Sequence, residues 1–181
     1  MAVALRGPGA MAMGMAVVSL ALIAGSCTTR GLAFREDRRL AFLTPGHREE
    51  VTLPVTVSWT MSPDFVLTGL DGSATHDTGL FAVLVDVDAP PPGEGLDWFS
   101  RDDANCQRLA DCPSADWFRE RGVFATTDTR LVLDAVRPLR GVETTRQRDF
   151  HEVTVVLLDG RGRRIGESSW TRVFKLVDAD E

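Results

Sequence analysis

The sequence predicts an all-β fold, a two-layer antiparallel β-sandwich, and three stretches carry that prediction. Val51, Leu53, Val55, Val57, Trp59 and Met61 alternate with Thr52, Pro54, Thr56, Ser58 and Thr60. Strict period two marks a strand with one dry and one wet face. Residues 80–85, LFAVLV, are apolar on both parities, the pattern of a central strand covered on both sides. Asp159-Gly160 stands between two apolar runs, a strong hairpin cue. Helical periodicity is nearly absent.

The chain opens with a segment that is not part of this core. Arg6 and the amino terminus are positive, residues 10–24 are small and apolar, and Ala24, Gly25 and Ser26 are small. These are the three parts of a secretory signal. Roughly 15 apolar residues make only ~22 Å of helix, short of the ~30 Å hydrocarbon core, so cleavage is expected rather than a permanent span. Ile23-Ala24-Gly25-Ser26-Cys27 resembles the lipobox of bacterial lipoproteins, with Ala24 where a leucine is usual. The resemblance implies a signal peptide over 1–26, diacylation of Cys27, a tether over 27–39 and attachment to the outer face of the cell membrane through that lipid. Plain secretion and an uncleaved anchor are the alternatives, and all three put the remaining chain outside the cytoplasm.

A mature chain of roughly 150 residues suits one domain, predicted over 40–178. Without Arg6 the balance is 19 basic residues against 26 acidic ones, a net charge of −7. That sign excludes wrapping nucleic acid and gives no charge-driven affinity for anionic lipid. Of three cysteines, Cys27 is reserved for the lipid, and Cys106 and Cys112 are expected to form a disulfide in an oxidising compartment. With no histidine near them, a zinc site is not expected.

Along the domain, residues 40–43 are an apolar quartet stopped by Pro45-Gly46. One strand follows over 51–61, with Pro54 placing its start at a sheet edge. A polar loop over 68–79 leads to the central strand, which leaves the core at Asp86 and Asp88. Residues 89–121 are a disulfide-stapled insertion with a short helix over 113–120 ended by Gly122. A strand is expected over 122–136, and residues 150–158 and 165–177 close the fold as a hairpin. In the P-x-T-V-x-W strand of Pro54 to Trp59 and the long LLDGRGRRIGESSW hairpin, the domain resembles the immunoglobulin-like and fibronectin-type domains of bacterial surface lipoproteins. That resemblance implies display or binding without catalysis, toward a protein or a cell-envelope glycan.

Candidate functional residues gather at the rim. Asp86, Asp88, Asp97, Trp98, Asp102 and Asp103 form the candidate binding surface, and Glu94 adds another acid. Oxygen ligands of this kind suit Ca²⁺, but no EF-hand spacing is present, so no metal and no cofactor are predicted. Trp98, Phe99, Trp117 and Phe118 either make an exposed platform or, at least half of them, fold inward as a cover. Arg161, Arg163 and Arg164 occupy a hairpin tip, facing an anion or plain solvent. Residues 86–90, DVDAP, resemble the D-P-D-A-P signature of phosphatidylethanolamine-binding proteins, with Val87 in place of the proline. This second resemblance implies a small-anion or lipid-headgroup site built from Asp86, Asp88 and His151. His47, His76 and His151 lie singly, and neither G-x-S-x-G nor H-E-x-x-H occurs, so no enzyme is predicted.

Overall fold

In the computed structural model, residues 37–137 and 150–178 are described. Residues 1–26, Cys27 and most of the expected tether fall outside them. The Asp37 carbonyl accepts the indole N–H of Trp170 at 2.9 Å, and the Arg39 carbonyl accepts from the Ser62 N–H at 2.7 Å.

The domain is all-β, with two sheets. The smaller holds β1 (Leu40–Thr44), β3 (Val55–Met61) and β7 (Arg130–Leu133), with β3 in the middle. The larger runs in the order β2 (Glu49–Val51), β9 (Trp170–Leu176), β8 (Phe150–Leu158), β5 (Thr78–Val85) and β4 (Val66–Leu67), and β6 (Val123–Thr126) also pairs with β5. The expectation of purely antiparallel pairing is corrected at two places. β2 runs parallel to β9, and β4 parallel to β5. Both are short edge pairings, which a long crossover can supply without disturbing the antiparallel centre.

Two of the expected strands are each two strands. The run 51–61 breaks at residues 52–54: β2 ends at Val51 in the larger sheet, and β3 starts at Val55 in the smaller. Pro54 has no N–H to give to a ladder, so the chain changes sheets there. The stretch 122–136 likewise splits, β6 pairing with β5 and β7 with β3, with the turn at residues 127–129 carrying the chain across. At the first break the sequence alternation runs on through Leu53, but that side chain is 41 % exposed.

The core explains the two patterns of apolarity. Val55, Val57 and Trp59 face Phe81, Val83, Val153, Val155, Leu157 and Phe174 between the sheets. The opposite parity of β5 and β8, Leu80, Ala82, Leu84, Val156 and Leu158, forms a second cluster on the outer face of the larger sheet. That face would be wet in a bare sandwich. The insertion covers it with Leu96, Phe99 and Phe118, which is why β5 and β8 are apolar on both sides. At Gly79, with φ at +150°, a Cβ would collide with the Leu158 carbonyl, so glycine is required where β5 begins beside β8.

Candidate functional site

The site is built where β5 leaves the sheet. Val85 is the last strand residue, and Asp86 adopts a left-handed backbone, φ 57°, which is uncommon for a residue with a Cβ. Its N–H still donates to the Glu152 carbonyl at 2.9 Å, so β8 fixes its position. The carboxylate turns back on the same strand: Oδ1 accepts the Glu152 N–H at 2.8 Å, and Oδ2 lies 2.7 Å from Nδ1 of His151. The side chains are 11 % and 3 % exposed. His151 has the parity of Val153 and Val155, and its ring lies 5.7 Å from that of Phe174 on β9. A buried polar ring is tolerated in such surroundings only when it is hydrogen-bonded. Asp86 supplies that bond and fixes Nδ1 as the nitrogen facing the carboxylate, while Nε2 has no hydrogen-bond partner among the described residues.

Beside this pair lies a broad open groove of about 1480 Å³. Asp86 and Val87 form part of its wall, Phe99 and Phe118 give it an apolar side, and the β6 and β7 strands border it. Arg119, Arg121 and Arg137 also line it, together with Asp116, Glu120 and Asp134, and Arg119 is paired with Asp116 at 2.6 Å and Arg121 with Asp103 at 3.1 Å. No sequence pattern pointed to these arginines. They reach one groove only because α1 (Ala115–Arg119) packs against β6.

The other predicted rim residues do not join Asp86. Asp88 is exposed, as are Asp97 and Asp102, the last in an exposed ion pair with Arg101 at 3.3 Å. Asp103 holds the insertion together. Oδ1 accepts from the N–H groups of Asn105 and Cys106 at 3.1 and 3.0 Å, and Oδ2 from the Trp117 indole at 3.3 Å and Arg121 at 3.1 Å. The Cys106 N–H and these further donors hold its carboxyl below the usual carboxylate range. The Cys106–Cys112 disulfide, with Cα atoms 5.1 Å apart, closes the same turn. Among the described residues no group of His, Cys, Asp or Glu is arranged to hold a metal ion.

The aromatic residues divide. Phe99 and Phe118 face inward, whereas Trp98 and Trp117 are half-buried and each carries a guanidinium on its ring, Arg101 at 3.6 Å and Arg121 at 3.9 Å. A stacking platform for a sugar needs a free ring face, and one face of each ring is taken. The hairpin arginines are also engaged. Arg161, Arg163 and Arg164 donate to the carbonyls of Gly72, Gly93 and Pro90, tying the 159–169 loop to the two preceding ones. His47 and His76 are exposed.

α1 itself follows its local code. Ser114 caps it by accepting the Trp117 N–H at 3.2 Å, and Gly122, φ 74°, ends it where a Cβ would strike the Val85 carbonyl. No helix among the described residues is long and apolar enough to cross a membrane. No protein-family model, no curated protein and no solved structure matches the chain.

Proposed function

We propose that the chain is a lipid-anchored, extracytoplasmic binding protein without catalytic activity, and that its groove receives a small phosphate-bearing ligand. The single observation that carries this reading is the Asp86–His151 hydrogen bond at 2.7 Å beside the groove. Residues 65 positions apart are brought together in a buried pair, and the Asp86 carboxylate holds the imidazole in one orientation. A phosphate oxygen is a natural acceptor for guanidinium groups along the groove. Arg137 lines the groove, and Arg119 and Arg121 there are shared with Asp116 and Asp103, with which a phosphate competes. Of the pair, Asp86 lines the groove, and His151, only 3 % exposed, does not.

The convergence favours the phosphatidylethanolamine-binding resemblance over the display resemblance, with Asp88 left outside the pair. The lipobox-like residues before Cys27 give the reason for an anchor: a net charge of −7 offers no attraction to anionic lipid, whereas two acyl chains hold a protein at a bilayer. Incorporation of radioactive fatty acid that persists in Cys27→Ala would overturn the anchor.

A second reading, an immunoglobulin-like display domain contacting a protein or an envelope glycan, is supported by the two-sheet sandwich and its stapled cover over 89–121. Crosslinking on intact cells tests it, since attachment of a macromolecule to residues 89–121 is its expected result. The ligand reading is tested by thermal shift with inorganic phosphate, O-phosphorylethanolamine and phosphatidylethanolamine vesicles. Stabilisation by at least one of these, absent with an uncharged alcohol of equal size and lost in His151→Ala, is expected. No stabilisation by any of the three contradicts it.

A further inference from the structure

We propose that the free edge of β7 is a self-association surface, at which a second copy of this chain adds its own β7 antiparallel across a twofold axis. β7 pairs with β3 on one side and has no strand on the other among the described residues. The Trp59 N–H donates to the Thr129 carbonyl at 3.1 Å, so residue 129 points its backbone at β3. By the alternation of an antiparallel ladder, so do residues 131 and 133, and residues 130, 132 and 134 turn their N–H and C=O groups outward. The groove opens along this edge.

The side chains on those same three residues argue for the partner. Arg130, Val132 and Asp134 are all exposed, Val132 by 43 %, while Leu131 and Leu133 turn toward the core. Neither Arg130 nor Asp134 has an ion-pair or hydrogen-bonding side-chain partner among the described residues. The run Arg130-Leu131-Val132-Leu133-Asp134 is complementary to itself when reversed. Centred on Val132, antiparallel pairing puts Arg130 of one copy opposite Asp134 of the other at both ends, and Val132 opposite Val132. Opposite charges and paired β-branched residues directly across a ladder are each favourable, and like charges there are not. Open edges are usually guarded by a single sign of charge, proline or a bulge. This edge instead carries one charge of each sign at the spacing that suits a twofold axis. The smaller sheet would then continue through the axis as β1-β3-β7 joined to its copy. An interface of one short strand per copy is small, so the dimer is a weak one.

Charge reversal tests this with the full chain in mild detergent by sedimentation velocity. The wild type is expected to dimerise with a Kd of about 100 µM. R130D and D134R should each weaken self-association by about tenfold or more, because each sets two like-charge pairs across the axis. An equimolar mixture of the two variants, and the double variant, should recover dimerisation. Both positions are exposed, so the fold should be retained, and circular dichroism checks it. As an independent readout, V132C should give an oxidised dimer in excess of the wild-type background, and V66C should not. A wild type that is monomeric at about 1 mM overturns the proposal. So does association that R130D leaves unchanged, a mixture of variants that remains monomeric, or V132C crosslinking no better than V66C.

Discussion

At the scale of the residue, the Asp86–His151 pair has a structural cost as well as a proposed use. Removing the imidazole leaves a carboxylate, 11 % exposed, with only the Glu152 N–H on it. His151→Ala should therefore lose about 2–4 kcal/mol of stability in urea unfolding. A loss below about 0.5 kcal/mol would mean that the pair contributes little to folding. Asp37 offers a pH-dependent counterpart. The Arg39 guanidinium, bonded to it at 2.8 Å, is the main cause that brings its carboxyl down to about 2. Lying below the ordinary value near 3.9, that carboxyl stabilises the fold above about pH 4, and the contribution is lost as the pH falls through about 2. Asp37→Asn should cost about 1 kcal/mol at pH 7, and the gap from wild type should close by about pH 2 in melting curves. Gly79→Ala should be more damaging than either, by about 3 kcal/mol or more, because backbone strain and a clash with the Leu158 carbonyl act together.

At the scale of the element, the insertion is a cover fixed by three devices. Phe99 and Phe118 bury the outer face of β5 and β8, Asp103 gathers four donors, and the disulfide closes a local loop. Replacing Cys106 and Cys112 by serine should cost about 2 kcal/mol for a loop this short. Amide exchange should then rise over 96–121 while the 55–61 strand stays protected. The disulfide, the short helix and its glycine stop were legible in the sequence, because cysteine spacing and a following glycine are local signals. The hub role of Asp103 was not. Its partners Trp117 and Arg121 lie 14 and 18 residues away, and a solvated acid and a half-buried hub look alike in a polar loop. The same limit applies to the strands. Period two located β3 and the last residue of β2, and the 122–136 stretch was marked as strand, but neither signal says which sheet a strand joins. The changes of sheet at residues 52–54 and 127–129 were therefore invisible, although Pro54 marked the first position as unfit for a ladder.

At the scale of the whole molecule, the all-β class followed from β5, β3 and the β8–β9 hairpin, whose burial matches their apolar patterns. The groove did not follow, because its walls come from segments separated by tens of residues and its arginines carry no motif. The candidate pair lies between these extremes: DVDAP drew attention to Asp86 and His151, and the fold joins those two while leaving Asp88 exposed. The account as a whole rests on that pair being a ligand site rather than a strut between β5 and β8. Nitrogen NMR of the imidazoles separates the two, since His47 and His76 are exposed and serve as internal references. On titration with O-phosphorylethanolamine, the Nε2 resonance of His151 should shift saturably, the two reference histidines should not, and Asp86→Asn should abolish the shift. A His151 resonance that stays fixed, or that moves only in step with His47 and His76, would contradict the account.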